Sequence, residues 1–176
     1  LESIQAGTAG IDFPDDLYEL GSIVINNQTG EIVGIMGGRN WASGGSMLLD
    51  HATEQFNQPG STIKPVLDYA LAFEDLGWAT SHTVVDKPVT YGNWTFNNFD
   101  NTKWGVVDLS KAVGLSLNTV AINTLQAVID KSGVQRVTNY LTSLGFSQFK
   151  PELFDISFAI GGGNMRVSAK ELAAAT

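Results

Sequence analysis

The sequence contains no cysteine, which removes disulfides, thiol catalysis and cysteine-ligated zinc together. That absence fits an extracytoplasmic protein that avoids thiols, although many cytosolic chains lack them too. There is no run of about 18 apolar residues, so nothing here spans a membrane as a helix. No signal peptide is visible at the N-terminus either, and any anchor or export signal is expected outside these residues. Basic residues are scarce, ten Lys and Arg against 18 Asp and Glu for a net charge of −8. A nucleic-acid partner would want the opposite sign and is not expected. Of histidines there are only His51 and His82, 31 residues apart with no ligand pattern around them. Neither a metal nor a cofactor is expected on that basis. What remains is ordinary globular composition, 43% apolar and 16% charged over 176 residues. It suits one domain, or most of one, with a sizeable core.

Residues 1–20 read as loop, because Gly7, Gly10 and Pro14 interrupt any periodicity. Ser22–Ile25 and Glu31–Met36 read as two strands of a β-hairpin, joined by Asn26-Asn27-Gln28-Thr29-Gly30. A polar, glycine-rich stretch over 39–58 then leads to Gln58-Pro59-Gly60. From Ser61 to about Gly77 the apolar positions Ile63, Val66, Leu67, Ala70, Leu71 and Phe73 keep helical spacing. Residues 78–107 read as an excursion of short strands. Its aromatics Tyr91, Trp94, Phe96 and Trp104 either rim a cleft or pack a flap onto the core, and packing is favoured because buried aromatics dominate cores. Asp108 caps a short helix at 109–113. Gly114-Leu115-Ser116-Leu117 breaks it, and Asn118 is placed to cap a helix from Thr119 to about Lys131. A further helix runs from Val134 to Leu144 and stops at Gly145. Gly161-Gly162-Gly163 reads as loop, and Ser168-Ala169-Lys170-Glu171 is a capping-box pattern that opens a last helix.

Chemistry enters at Ser61 and Lys64. A serine hydroxyl is a weak nucleophile at neutral pH and needs a base within hydrogen-bond reach. Helical positions i and i+3 lie on one face, so Lys64 falls one turn from Ser61. A lysine serves as base only where burial or nearby positive charge lowers its pKa. The S-x-x-K pattern is weak, arising about once by chance in a chain of this composition. A second copy, Ser147-Gln148-Phe149-Lys150, follows a helix stop and precedes Pro151, so it reads as loop. Taken alone, the first pair is evenly balanced between a nucleophile with its base and a plain helix cap. Ser116-Leu117-Asn118, 55 residues after Ser61, is the only S-x-N in the chain. Its hydroxyl can relay a proton and its amide can hold both a substrate amide and the lysine ammonium; Asn118 is equally suited to a helix N-cap. Lys64 is expected to point at Ser61 and Ser116, with Asn118 facing the same cleft.

Several segments in one order make this pattern specific. Gln58-Pro59-Gly60-Ser61-Thr62-Ile63-Lys64-Pro65 resembles the active-serine segment of class A penicillin-binding proteins, as does the hairpin ending Gly30-Glu31-Ile32-Val33-Gly34-Ile35-Met36-Gly37-Gly38. Ser116-Leu117-Asn118-Thr119-Val120-Ala121 resembles the family's second motif. Phe158-Ala159-Ile160-Gly161-Gly162 and Val167-Ser168-Ala169-Lys170-Glu171-Leu172-Ala173 resemble the segment further on. The resemblance implies an α+β fold of the penicillin-binding protein and serine β-lactamase type, a helical cluster with an antiparallel sheet. It implies a D,D-transpeptidase in which Ser61 attacks D-Ala-D-Ala stem peptides of peptidoglycan, with Lys64, Ser116 and Asn118 completing the set, and in which β-lactam antibiotics acylate the same serine. It also implies work at the extracytoplasmic face of a bacterial membrane, anchored through a segment not present here.

The family's third motif, K-T-G or K-S-G, lies on a strand beside the nucleophile. Lys131-Ser132-Gly133 has the letters but reads as the end of a helix with a glycine stop. The motif is therefore expected beyond Thr176, on a further polypeptide segment that completes the site. Residues 1–20 are expected to be an inter-domain segment and 21–176 the N-terminal part of the transpeptidase domain, fold incomplete. Two alternatives stand beside this reading. A serine β-lactamase needs a deacylating base, and aligning Pro151-Glu152-Leu153 with the loop that carries it puts Lys150 at the base position. A β-lactam sensor domain would keep the serine and the lysine without cross-linking peptides.

Overall fold

The computed structural model describes residues 1–5, 8–10, 13–15, 17–39 and 48–176. The loop readings of 1–20 and 39–58 fall in part on residues 6–7, 11–12, 16 and 40–47, which lie outside the described residues. In chain order the regular elements are α1 (Glu2–Gln5), β1 (Ser22–Ile25), β2 (Ile32–Met36), α2 (Ala70–Leu76), β3 (Thr83–Asp86), β4 (Val89–Tyr91), β5 (Trp94–Phe96), β6 (Gly105–Asp108), α3 (Leu109–Gly114), α4 (Asn118–Ser132), α5 (Val134–Ser143) and α6 (Ala169–Ala174). The class is mixed, helices with two-stranded antiparallel pairs β1–β2, β3–β6 and β4–β5. The chain divides into two compact units, residues 1–57, 144–148 and 166–176 in one and 58–143 with 149–165 in the other.

The first unit holds the hairpin. Ser22 pairs with Met36 and Val24 with Gly34, and the turn closes with Gly30 N donating to the Asn26 carbonyl at 2.8 Å. Asn26 also accepts from Gln28 N through its side chain, at 2.9 Å, the local bond that makes Asn a turn residue. A one-turn helix, α1, stands where loop was expected. The capping box forms as read: the Ser168 hydroxyl accepts from Glu171 N while Glu171 accepts from Ser168 N at 3.0 Å. That reciprocal pair satisfies two otherwise orphaned donors at the start of α6, which packs against β1.

The second unit is built around α4, which packs on α2, α5, β3 and the segment Pro65–Tyr69. Seven of its residues are buried, among them Val120, Ala121, Ile122, Leu125 and Val128, a helix apolar around most of its circumference and so enclosed. Asp108 caps α3 as expected, accepting from Lys111 N at 2.7 Å. Tyr69, Val107, Leu109, Ala112, Leu117 and Val120 form one buried cluster, with Trp78 and Val84 against it. Each large apolar side chain enclosed in this way contributes about 1.5–3 kcal/mol relative to exposure.

The helix expected from Ser61 is helical throughout but not α-helical at its start. Gly60–Ile63 is a 3-10 turn, Pro65–Tyr69 is π-helical, and only Ala70–Leu76 is an α-helix, closed by Gly77 in the left-handed conformation. The physical reason lies in Pro65, which has no N–H to donate and whose ring crowds the preceding turn; Asp68 N and Tyr69 N both turn to the Lys64 carbonyl, at 3.1 and 3.2 Å. The start of this run is pinned from behind by glycine. Gly60 N donates to the Gly161 carbonyl at 3.3 Å, and a Cβ on Gly161 would meet Gly60 O at 2.2 Å, on a residue whose φ is +65°. Gly161→Ala is therefore expected to lower stability by about 2 kcal/mol or more, since both the clash and the left-handed backbone oppose it. A denaturant titration of the variant beside the parent measures this, and an unchanged midpoint would mean that the two backbones do not hold this approach.

Candidate active site

Lys64 is the centre of the site. It is 2% exposed, and its Nζ donates to Ser116 O at 2.7 Å, Ser116 Oγ at 3.2 Å and Asn118 Oδ1 at 2.7 Å. Burial lowers its pKa to about 8, with Asp68 pulling the other way. Three of the four residues singled out in the sequence thus meet at one amine, across 52 and 54 positions of chain. The fourth, Ser61, is exposed one 3-10 turn before Lys64. Its hydroxyl makes no hydrogen bond among the described residues, so Lys64 points at Ser116 and Asn118 but is not bonded to Ser61. In a 3-10 turn, residues i and i+3 eclipse, which sets Ser61 and Lys64 on one line more closely than an α-helix would.

Two local expectations are corrected. Ser61 is not a helix cap: the residue before the 3-10 turn is Pro59, and no side chain caps it. Asn118 is not an N-cap either but the first residue of α4; Leu117 precedes it with no capping side chain. The Asn118 side chain is taken by Lys64 on one side and donates to the Asn97 carbonyl at 3.2 Å on the other. Ser116 itself sits at φ +53°, a left-handed conformation that residues other than glycine adopt at a cost. That backbone turn is what lets both the carbonyl and the hydroxyl of one residue face one amine.

Ser61, Ser116 and Asn118 line a cavity of about 460 Å3, with Asn98, Phe99, Asp100, Trp104, Leu115 and Leu117 on its other walls. The favoured packing of the excursion's aromatics is corrected here. Trp94 is 74% exposed, and Trp104, half exposed, lines the cavity with the Lys111 amine 4.0 Å above its ring. Tyr91 and Phe96 are partly buried. Lys131-Ser132-Gly133 ends α4 as read, Gly133 closing the helix and Lys131 Nζ donating to the Asp75 carbonyl. Ser147 and Lys150 stand outside helices and strands. Among the described residues no group of three or more acidic or histidine side chains could hold a metal ion, and no helix is long and apolar enough to cross a membrane.

Sequence reasoning missed three buried groups of this unit. Asp68, four residues after Lys64, is fully buried with neither carboxyl oxygen hydrogen-bonded; burial pushes its pKa well up, against the Lys64 charge. An acid inside the apolar stripe of Ile63, Val66, Leu67 and Leu71 was the available signal. Asp86 and Asn98 are buried at 1% and 5% exposure and bonded to each other at 2.8 Å; nothing local in the sequence marks them.

Comparison with known proteins points in one direction. The family model for the penicillin binding protein transpeptidase domain matches residues 21–175. Penicillin-binding protein 4 of Bacillus subtilis is 32% identical over 142 residues, 81% of this chain and 22% of that protein. Penicillin-binding protein 1A/1B of the same organism is 32% identical over 158 residues, 88% of this chain and 16% of that one. Among solved structures, penicillin-binding protein 1A from Haemophilus influenzae superposes with a TM-score of 0.71 at 25% identity, covering 89% of this chain and 22% of that one. The PonA1 protein from Mycobacterium tuberculosis in complex with penicillin V shares the fold, with a TM-score of 0.73 at 19% identity, over 97% of this chain and 44% of that one. The chain thus spans about a fifth of the length of the curated relatives it matches.

The backbone at Ser116 generates its own test. Ser116→Gly and Ser116→Ala both remove the hydroxyl, but only glycine accepts φ +53° without strain. Ser116→Gly is expected to be more stable than Ser116→Ala by about 0.5–1 kcal/mol, the strain relieved less the extra freedom of glycine in the unfolded chain. Thermal or urea melts of the two variants give the difference, and an alanine variant as stable as the glycine one would remove the strain from the account.

Proposed function

The chain belongs to the penicillin binding protein transpeptidase domain family, and from that premise we propose that it carries the nucleophile and base of a serine D,D-transpeptidase. One observation carries the proposal: a buried lysine amine held between Ser116 and Asn118, with the Ser61 hydroxyl exposed one turn away on the wall of a cavity.

The amine is poised for proton transfer. Three donated bonds describe an ammonium. Once it loses a proton, two N–H groups still satisfy Ser116 O and Asn118 Oδ1, and the free lone pair faces the Ser116 hydroxyl. Ser61 Oγ then attacks the carbonyl carbon of the penultimate D-Ala of a stem peptide, its proton passing to Lys64 directly or through Ser116 Oγ. The C–N bond breaks and the terminal D-Ala leaves as an amine carrying the relayed proton. The amine of a second stem peptide attacks the Ser61 ester, forms the cross-link and returns the proton to Ser61. A β-lactam enters at the first step and keeps its amine tethered. A polypeptide segment bearing the K-T-G motif is proposed to add oxyanion donors to those of this chain; one such donor is commonly worth about 100-fold or more in rate. The same reading puts residues 1–20 before the domain and 21–176 within it, at the extracytoplasmic face of a bacterial membrane.

Labelled penicillin added to the intact protein is expected to form a stable adduct on Ser61 alone, located by peptide mass spectrometry and absent from Ser61→Ala. Acylation should climb with pH, pass its midpoint near 8 and level off above it as Lys64 loses its proton; as pH falls below 8 the base is lost. Lys64→Arg, which stays charged, should lose roughly 100-fold or more in rate. An adduct on Ser116 or Ser147, or a rate flat across this pH range, would overturn the assignment. Rapid release of the hydrolysed drug would make the protein a β-lactamase, and a stable adduct without cross-linking of stem peptides would make it a sensor.

A further inference from the structure

We infer that Asp86 and Asn98 act as a positioning brace that fixes Asn118 and, through it, the Lys64 amine. The inference rests on the proposed role of Lys64 as base. A helix leaves its first N–H groups without intrahelical partners, and α4 receives no capping side chain from Leu117. Its first two N–H groups go instead to a side chain 20 residues upstream: Asn98 Oδ1 accepts from Asn118 N at 2.9 Å and from Thr119 N at 3.4 Å.

The orientation of that amide is dictated by what lies behind it. Asn98 Nδ2 donates to Asp86 Oδ1 at 2.8 Å and to the Thr102 carbonyl at 3.1 Å. Both partners are acceptors, so the NH2 group must face them and the oxygen must face the helix. Asp86 is in turn held from three directions. Besides Asn98 it accepts from Thr119 Oγ1 and, at 2.7 Å, from Trp104 N. Asn98 Nδ2, Thr119 Oγ1 and Trp104 N all donate to the Asp86 carboxylate, and an amide in its place would turn an N–H toward Trp104 N or Asn98 Nδ2, neither of which can accept. Asn118, with its backbone fixed by Asn98, then has its own side chain set between the Asn97 carbonyl and Lys64 Nζ. One continuous line of hydrogen bonds runs Asp86, Asn98, Asn118, Lys64, and Asn98 and Trp104 also line the cavity. The brace therefore ties the wall of the cavity to the position of the base.

The alternative is that Asp86 and Asn98 only stabilise the fold. The other charged groups on elements packed against Lys64 do not compete for this role: Glu74 and Asp75 of α2 pair with Arg136, Asp130 and Lys131 are exposed near the C-terminal end of α4, and the Asp68 carboxyl makes no hydrogen bond.

The test is a double-mutant cycle on the intact protein with Asp86→Asn, Asn118→Ala and both together. Two readouts are taken, penicillin acylation as a function of pH and the titration of the Lys64 amine by magnetic resonance of isotope-labelled lysine, assigned with Lys64→Arg. Each single variant is expected to slow acylation roughly 10- to 100-fold, the scale of a misplaced catalytic group. The double variant should be no slower than the slower single, because the two act in series. In both singles the Lys64 pKa should fall, since an ammonium that loses an acceptor is less favoured, and the rising limb of the acylation profile should move to lower pH with it. Multiplying effects, or an unmoved Lys64 titration in Asp86→Asn, would overturn the brace. Should Asp86→Asn give no cooperative melt, Asn98→Ser takes its place in the same cycle with the same expected outcomes. A shifted Lys64 titration with unaltered acylation would keep the brace and sink the role of Lys64 as base.

Discussion

Burying a lysine amine is the constraint from which the site's geometry follows. An isolated ammonium taken out of water costs several kcal/mol even after the protein relaxes, and Lys64 has 2% exposure. Three oxygens offset that cost, and all come from one three-residue stretch. For Ser116 to offer both its carbonyl and its hydroxyl, the backbone must enter the left-handed region. For Asn118 to offer its side-chain oxygen, it must give up capping α4. The vacated cap is then filled from Asn98. Each departure from the ordinary rules at 116–118 is thus paired with a compensation that can be named.

The irregular helix from Gly60 serves the same end. An α-helix would leave Ser61 and Lys64 about 60° apart around the axis, since three steps of about 100° fall that far short of a full turn; a 3-10 turn brings them into register. The widened turn over Pro65–Tyr69 absorbs the proline and restores the phase, so that Leu67 and Leu71 are still fully buried. Single widened turns of this kind recur at functional sites, and here the physical cause is the missing N–H of Pro65.

Local signals were legible in the sequence and distant ones were not. The hairpin, the Asp108 cap, the capping box at Ser168 and the glycine stop after Lys131 are each decided by residues within four positions of one another. Lys64, Ser116 and Asn118 meet at one amine, a convergence that S-x-x-K and S-x-N, as short patterns in a recognisable order, led one to expect. The sequence reading failed where a side chain's fate is settled from afar. Asn118 is a good N-cap by propensity, and only the position of Lys64 diverts it. Trp94 and Trp104 are residue types that favour cores, yet Trp94, at the turn end of the three-residue pair β4–β5, is left 74% exposed. Asp86 and Asn98 lie 12 residues apart in a stretch with no regular period, so no window around either one reveals the other.

Asp68 shows how an acid can lie close to Lys64 without holding it as an ammonium. An ionised carboxylate one turn from Lys64 would hold the lysine as an ammonium, which is useless for accepting a proton. Two effects compete at each group. At Asp68 burial outweighs the attraction of Lys64 and pushes the carboxyl toward its neutral form. At Lys64 burial outweighs the attraction of Asp68 and pulls the amine down to about 8. The same enclosure therefore moves both groups in the direction that dissolves an ion pair. The geometry agrees: the Lys64 amine spends its donors on Ser116 and Asn118 rather than on the acid, and both Asp68 oxygens are left without a hydrogen bond. A carboxyl exposed to water at the same spacing would ionise, raise the lysine and keep it from the role proposed for it. The depth at which Asp68 is buried is consequently part of what keeps Lys64 available.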